Sequence, residues 1–180
     1  MEKKRLFIAT FIDKKIFETK YSSVIEEFST CCTGKWVEHE NLHFTYYFLG
    51  DVEDNKIPVL MEDLKFFLKT YNAPLYVNAL GCFPSPARPK VLYADIFNPD
   101  KTVFFTQRKI ERTLERHGFL PEKRKYEPHV TLLRVKSSEQ QFKDVIMKYR
   151  RYDFGKMYKF RINLVESQLT NQGPIYTILG

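Results

Sequence analysis

Apolar positions alternate with polar ones in several short runs of the chain and recur at helical intervals in others. The runs typical of strands are Leu6 to Phe11, Trp36–Val37, Leu42 to Leu49, Leu75 to Cys82, Lys90 to Phe97, Pro128 to Val135, Met157 to Val165 and Ile175 to Leu179. The helical patterns predict four helices. The first is capped by Asp13 and has Ile16, Phe17, Val24, Ile25 and Phe28 on its apolar face. The others run through Ile57 to Leu68, run from about Pro99 to His117, and begin at a capping box of Ser137 and Gln140. Helices interleaved with strands, in few clean βαβ repeats, predict an α+β fold.

The length and composition favour one globular domain spanning residues 1–180. The chain has 180 residues of which 43% are hydrophobic, enough to bury a core and too many for a disordered chain. No apolar run approaches the roughly 20 residues of a membrane span. Cys31, Cys32 and Cys82 form no metal-binding spacing, and they are typical of core thiols in a reducing compartment. We therefore expect a cytoplasmic protein.

The net charge of the chain is a moderate indication of its partner. A formal net charge of +7 favours a polyanionic partner such as RNA, although many basic proteins bind no nucleic acid. A basic cluster could guide RNA, and surface solvation explains such clusters about equally well. It consists of Lys123, Arg124 and Lys125 together with Arg88 and Lys90.

Two strands carry the same short motif, His-x-Thr. LHFTYYFLG spans Leu42 to Gly50, and PHVTLLR spans Pro128 to Arg134. Both halves of the chain also share a strand-helix-strand-strand order, which indicates an internal duplication. Two copies in equivalent places are more informative than either copy alone, because a lone strand histidine is usually structural.

The spacing brings a histidine and a threonine together. Side chains two apart on a strand point to the same face, so His43 and Thr45 project together, as do His129 and Thr131. If the two strands face each other across a cleft, one neutral imidazole can take a proton from a nucleophile and one imidazolium can protonate a leaving oxygen. The threonine hydroxyls can bind the non-bridging oxygens of a phosphate. This chemistry requires no metal.

The paired motifs resemble the 2H phosphoesterase superfamily, and within it most closely the RNA 2′,3′-cyclic phosphodiesterases, historically called 2′-5′ RNA ligases. The resemblance covers the whole chain. It includes FLG after the first motif, a proline before the second, and the segments RLFIATF, GCFPSPARPKVLYADI, HGFLPEKRKYEPHVTLLRVK and LVESQLTNQGPIYTIL. It implies a bilobed, pseudo-twofold α+β fold, in which two antiparallel sheets flank a central cleft and the helices lie outside.

The resemblance also implies a reaction and a site. The reaction is hydrolysis of an RNA 2′,3′-cyclic phosphate to a 2′-phosphomonoester, with no cofactor or metal, by a chain we expect to be a monomer. On the family's pattern His43 is the proton donor and His129 the proton acceptor, and pseudo-symmetry permits the reverse. Thr45 and Thr131 would bind the phosphate.

Two further residues match the family's motifs. Arg134 would add a phosphate contact, and Phe48 could stack on the terminal base. Strict alternation places each on the face opposite its histidine, so each needs a bulge or a strand end to reach the cleft.

Other interpretations stay open at this point. The chain could act on 2′-5′ linked oligonucleotides or on a small cyclic nucleotide phosphate, or catalyse reversible 2′-5′ ligation. It could also bind RNA without catalysis. His39 and His117 lack the motif and are interpreted as surface or helix-end residues. The acidic cluster of Asp51, Glu53 and Asp54 is interpreted as charge at the start of the second helix rather than as metal ligands.

Overall fold

A computed structural model describes residues 2–180, which form eleven β-strands and five α-helices. The strands are β1 (Lys3–Phe11), β2 (Cys32–Trp36), β3 (His43–Glu53), β4 (Thr70–Tyr71), β5 (Leu75–Phe83), β6 (Val91–Phe97), β7 (His129–Ser138), β8 (Asp153–Met157), β9 (Phe160–Arg161), β10 (Asn163–Thr170) and β11 (Gly173–Ile178). The helices are α1 (Lys14–Phe17), α2 (Lys20–Ser29), α3 (Ile57–Leu64), α4 (Thr102–Glu115) and α5 (Phe142–Lys148).

Two antiparallel sheets dominate the architecture. The first sheet has the strand order β11-β10-β1-β3, and the second has the order β2-β7-β6-β5-β8. A third, two-stranded sheet joins β4 to β9. The predicted α+β class with two antiparallel sheets is confirmed. Each sheet contains one His-x-Thr strand, β3 in the first and β7 in the second.

One face of the second sheet packs against the core, and the other face is available for a functional site. Along β6 the apolar residues Leu92, Ala94 and Ile96 are buried against the core, while Tyr93 and Asp95 lie on the other face. We call that other face, together with the face of the first sheet that carries His43 and Thr45, the cleft. The cleft face of β1 is lined by aromatic residues and adds Phe7 and Phe11 to the same surface.

The start of the chain follows the predicted pattern with one difference. The Asp13 side chain accepts a hydrogen bond from the Lys15 backbone N–H at 3.0 Å, so the predicted cap is confirmed. The predicted single helix is instead divided into α1 and α2. Val24 and Phe28 of α2 are fully buried, as their helical spacing predicts.

The capping box at Ser137 is wrong. Ser137 continues β7, where it pairs with Thr33 of β2, and the two hydroxyl oxygens lie 2.5 Å apart. Helix α5 begins only at Phe142, with Gln141 at its N-cap position. Because Ser137 is held in the ladder between β7 and β2, it cannot also serve as the N-cap of a helix.

Other boundaries also move. Helix α3 ends at Leu64 rather than Leu68, and α4 begins at Thr102, after Lys101 adopts a left-handed backbone with φ of 60°. The predicted strand Met157 to Val165 is divided among three sheets, as the ends of β8 and β10 and the short β9. Apolar residues are buried in all three places, so the hydrophobic pattern alone could not separate them.

Candidate active site

The first motif begins β3. His43 is half-buried, and its Nδ1 lies 2.6 Å from the backbone carbonyl oxygen of Asn41. Thr45 is also half-buried, whereas Phe44 between them is fully buried on the core side. The alternation of the strand therefore presents His43 and Thr45 together on the cleft face, as predicted from their spacing.

The second motif repeats this arrangement at the start of β7. His129 Nδ1 lies 2.7 Å from the backbone carbonyl oxygen of Glu127, two residues earlier, as Asn41 is to His43. Thr131 is half-buried, and Val130 between them is fully buried. The two strands therefore present the same pair of groups in the same local geometry.

The carbonyl contacts determine which imidazole nitrogen is available for chemistry. A carbonyl oxygen only accepts, so Nδ1 of both His43 and His129 must carry a proton and donate it. Nε2 is then the nitrogen that changes protonation state. Within residues 2–180 neither Nε2, nor the hydroxyl of Thr45 or Thr131, has a hydrogen-bond partner, so all four groups are free to bind a substrate.

A β-bulge follows the threonine in both strands. In β3 the pairing with β1 shifts so that Tyr46 is the extra residue, and in β7 the pairing with β6 shifts at Leu132. Tyr46 and Tyr47 are both buried, as are Leu132 and Leu133.

Each bulge reverses the alternation of the residues beyond it. Phe48, which is 70% exposed, therefore lies on the same face as His43, and Arg134 on the same face as His129. Strict alternation would have placed both residues on the opposite face, and the bulges bring them to the cleft. Phe48 and Arg134 occupy equivalent positions, each five residues after its histidine.

The two motif strands lie close to each other. Burial is the main cause that lowers the pKa of His43, and the positive charges of Arg134 and His129 lower it further. The hydrogen bond to the Asn41 carbonyl acts in the opposite direction. Arg134 and His129 both belong to β7, so their effect on His43 means that the cleft is narrow enough for charges of one sheet to act on the other.

A buried hydroxyl connects the two motifs. Tyr126, just before the second motif, donates a hydrogen bond from its hydroxyl to the Thr45 carbonyl oxygen at 3.0 Å. Its ring stacks on Tyr46 with centroids 6.4 Å apart. Tyr126 packs against the hydrophobic core. Its contacts fix the approach to one motif against the strand of the other.

Aromatic rings surround His43 on the first sheet. Phe7, Phe11 and Tyr176 place their ring centroids 5.2, 5.5 and 5.3 Å from the His43 ring. Phe7 also contacts Phe48 at 6.1 Å. Burial raises the pKa of Tyr176, although the charges of Arg134 and Arg5 lower it. Both guanidinium groups therefore lie near this end of the cleft.

His129 has a different set of neighbours. Phe83 and Tyr93 lie 5.1 and 5.2 Å from its ring and stack on each other at 4.3 Å. Asp95 is its backbone partner in the ladder between β6 and β7. Partial burial raises the pKa of the Asp95 carboxyl, and the charge of His129 acts in the opposite direction. A cavity of about 340 Å³ opens beside these groups and is also lined by Lys125.

Several of these neighbours are not predicted by local sequence patterns. Phe7, Tyr176, Tyr93, Asp95 and Arg5 lie on other strands, and their proximity to the histidines depends on sheet pairing. Alternation within RLFIATF places Phe7 and Phe11 on one face, which was a usable signal. No local pattern identifies the strand that pairs with β7.

The other candidate residues lie away from the two histidines. His117, just after α4, has its Nε2 within hydrogen-bond distance of Asp63 Oδ2, at 2.8 Å, and His39 lies in a 3₁₀ turn with a buried Nε2. Asp54 pairs with Lys4 in a 3₁₀ turn that precedes α3. In the described part of the chain no three or more His, Cys, Asp or Glu residues are grouped as metal ligands, and no helix is long and apolar enough to cross a membrane.

Comparisons with known proteins agree with this geometry. A family model described as LigT-like phosphoesterase matches residues 20–93 and 98–176. A protein of Aquifex aeolicus named RNA 2′,3′-cyclic phosphodiesterase is 32% identical, over 97% of this chain and 94% of its own length. One of the same name from Methanocaldococcus jannaschii is 35% identical, over 97% and 98%.

Solved structures show the same fold. The crystal structure of Escherichia coli LigT in its apo form has a TM-score of 0.75 at 22% identity, covering all of this chain and 96% of that one. A structure described as a phosphoesterase has a TM-score of 0.74 at 20% identity, covering 99% and 97%. Because the family model spans most of the chain and includes both His-x-Thr strands, the chain belongs to the LigT-like phosphoesterase family.

Proposed function

We propose that this protein hydrolyses RNA 2′,3′-cyclic phosphate ends to 2′-phosphomonoesters. The observation that carries the proposal is the matched pair of His-x-Thr strands, in which both Nδ1 atoms donate to backbone carbonyls and both Nε2 atoms have no protein partner. Relatives of 32–35% identity over nearly the whole chain carry the name of this activity. The geometry supplies the groups that the reaction needs.

The reaction follows from two imidazoles in opposite protonation states. Neutral His129 accepts a proton from water at Nε2 as the water oxygen attacks phosphorus. The bond from phosphorus to O3′ breaks, and His43, protonated at Nε2, donates its proton to O3′. The product is a 2′-phosphomonoester with a free 3′-hydroxyl, and exchange with solvent restores both histidines.

The remaining residues bind the substrate. The hydroxyls of Thr45 and Thr131 donate to the non-bridging phosphate oxygens, where negative charge accumulates in the transition state. Arg134 adds a charge-assisted contact to the phosphate. Phe48 offers an exposed ring beside Phe7 on which the terminal base can stack.

The assignment of donor and acceptor comes from the family's pattern, and the free protein opposes it at His43. Burial together with the charges of Arg134 and His129 lowers the pKa of His43 and so favours its neutral form. A bound cyclic phosphate carries a negative charge between the two imidazoles, which favours the cationic form of the donor. Binding of the substrate therefore favours the protonated form of His43 that donates the proton.

We further propose that residues 1–180 function as one domain. One hydrophobic cluster contains buried residues of both sheets, including Ile8 of β1, Phe44 of β3 and Leu132 of β7. The two sheets are therefore not separate folding units, and the cleft between them is fixed by a shared core.

One incubation tests the proposal. An oligonucleotide with a 2′,3′-cyclic phosphate end is incubated with the protein in EDTA, and the 2′- and 3′-phosphate products are separated. We expect the 2′-phosphate alone, formed without added metal. A 3′-phosphate product, a requirement for a metal ion, or no product would contradict the proposed reaction.

A further inference from the structure

An exposed aromatic pair lies on the cleft face of the second sheet, beyond the two histidines. Tyr76 of β5 and Phe97 of β6 are backbone partners, and their ring centroids lie 6.0 Å apart. Phe97 is 55% exposed, and Tyr76 is half-buried. Alternation along β6 places Phe97 on the same face as Tyr93 and Asp95, which flank His129. The aromatic surface is therefore continuous with the active site.

Cations lie on both sides of this pair. Lys156 of β8 is the backbone partner of Tyr76, and its Nζ lies 5.2 Å from the ring centroid of Tyr158, which is also exposed. On the other side, Lys125 lines the cavity that opens beside His129.

Two carboxylates, Asp95 and Glu127, border the same cavity. They would repel a phosphate, so a phosphate is expected near Lys156. The carboxylates can instead accept hydrogen bonds from ribose hydroxyls or base amino groups.

Exposed rings on an open sheet, with lysines beside them, are the means by which proteins bind single-stranded nucleic acid. Phe97 lies two residues along β6 from Asp95, a separation of roughly 7 Å. That length is comparable with one nucleotide of an extended strand. A mononucleotide bound at the histidines would leave this surface uncovered.

We propose that β5, β6 and β8 bind the nucleotide that precedes the cyclic phosphate end, with its base stacked on Tyr76 and Phe97 and its phosphate at Lys156. The inference rests on the proposed function and extends it to a substrate class. The preferred substrate is an RNA strand of at least two nucleotides rather than a 2′,3′-cyclic mononucleotide.

Steady-state kinetics on two substrates test this inference. The first is a 2′,3′-cyclic mononucleotide, and the second is a trinucleotide with the same 2′,3′-cyclic phosphate end. We expect the trinucleotide to have a kcat/KM about tenfold higher, since one stacked base has an effect of this order. Phe97→Ala should remove most of this advantage and leave turnover of the mononucleotide unchanged.

Phe66→Ala is the matched control, because Phe66 is 71% exposed but follows α3 and belongs to no sheet. The thermal midpoint is measured for both variants to confirm that they fold. Equal kcat/KM for the two substrates in the wild-type protein would overturn the inference. So would equal losses on both substrates in Phe97→Ala, or the same loss in Phe66→Ala.

A binding measurement separates this inference from the proposed reaction. Fluorescence anisotropy of a labelled hexanucleotide with a 2′,3′-cyclic phosphate end gives Kd for wild type and Phe97→Ala without requiring turnover. Weaker binding by Phe97→Ala supports the strand-binding surface even if no product forms and the proposed reaction fails. An unchanged Kd would overturn the proposal that this surface binds the strand.

Discussion

The two motif strands share their backbone geometry and differ in what surrounds their histidines. In both, Nδ1 donates to the carbonyl two residues earlier, and a bulge after the threonine turns a later residue into the cleft. His43 lies among Phe7, Phe11 and Tyr176, and the charge of Arg134 acts on it.

His129 instead pairs with Asp95, a residue that carries a carboxylate, in the ladder between β6 and β7. The repeated motif therefore fixes where a proton can be exchanged, whereas residues that differ between the two halves set the electrostatic environment. Two copies of one motif can perform opposite proton transfers because their neighbours need not repeat.

Removal of either imidazole has the largest expected effect. His43→Ala and His129→Ala should each lower kcat by at least about a hundredfold, because each removes a general acid or base. The circular dichroism spectrum and thermal midpoint should show a folded protein, since both side chains are only half-buried. Loss of activity in only one of the variants would contradict the proposal that both imidazoles take part in the reaction.

A substrate with sulfur in place of the bridging O3′ distinguishes the two roles. A thiolate leaves without protonation, so this substrate should restore turnover to the variant that lacks the proton donor. On the proposed assignment His43→Ala is rescued and His129→Ala is not. Rescue of His129→Ala instead would reverse the assignment.

The sequence predicts what is local in this site and misses what depends on pairing. Spacing alone placed His43 with Thr45 and His129 with Thr131, because alternation is a property of one strand. The cleft position of Arg134 depends on the bulge at Leu132, which arises from the register with β6. The Ser137 capping box failed for the same reason, since β2 pairs with that segment.

Substitution of two glycines of the second sheet by alanine should have the next largest effect. A Cβ at Gly34 would lie 2.1 Å from the backbone oxygen of Arg134, which cannot move without breaking the ladder between β2 and β7. Gly34→Ala should therefore lower the free energy of unfolding by about 1–3 kcal/mol in urea titrations.

Gly81→Ala is the matched comparison, since the atoms nearest to its Cβ would belong to the outer end of the Tyr93 side chain, at 2.4 Å, and not to the backbone. The Tyr93 side chain can move as a whole by a change in χ1, so we expect a smaller loss of stability together with lower turnover as Tyr93 moves from His129. An equal loss of stability in both variants would contradict this reasoning.

Arg134 offers a smaller and more specific change. Its charge is one cause that lowers the pKa of His43, so Arg134→Gln should raise that pKa in an NMR titration of the imidazole signals. Arg134→Gln should also raise KM roughly tenfold, through loss of a charge-assisted phosphate contact.

Arg134→Lys is the matched control, because it keeps the charge and loses the planar guanidinium. It should leave the pKa of His43 nearly unchanged while KM still rises. If Lys and Gln shift the pKa equally, the charge of Arg134 does not act on His43, and the cleft is wider than the structure indicates.

The smallest expected effect is on stability against pH. Burial, followed by the charges of Arg134 and His129, holds the pKa of His43 below its ordinary value of 6.5. Between those two pKa values the unfolded chain binds more protons than the folded protein, so the free energy of unfolding rises with pH in that interval. The contribution of His43 is thus complete above pH 6.5 and is lost as the pH falls through the folded pKa. In urea titrations between pH 7.5 and 5, wild type should lose more stability than His43→Gln, and equal losses would show that His43 is not held neutral by its surroundings.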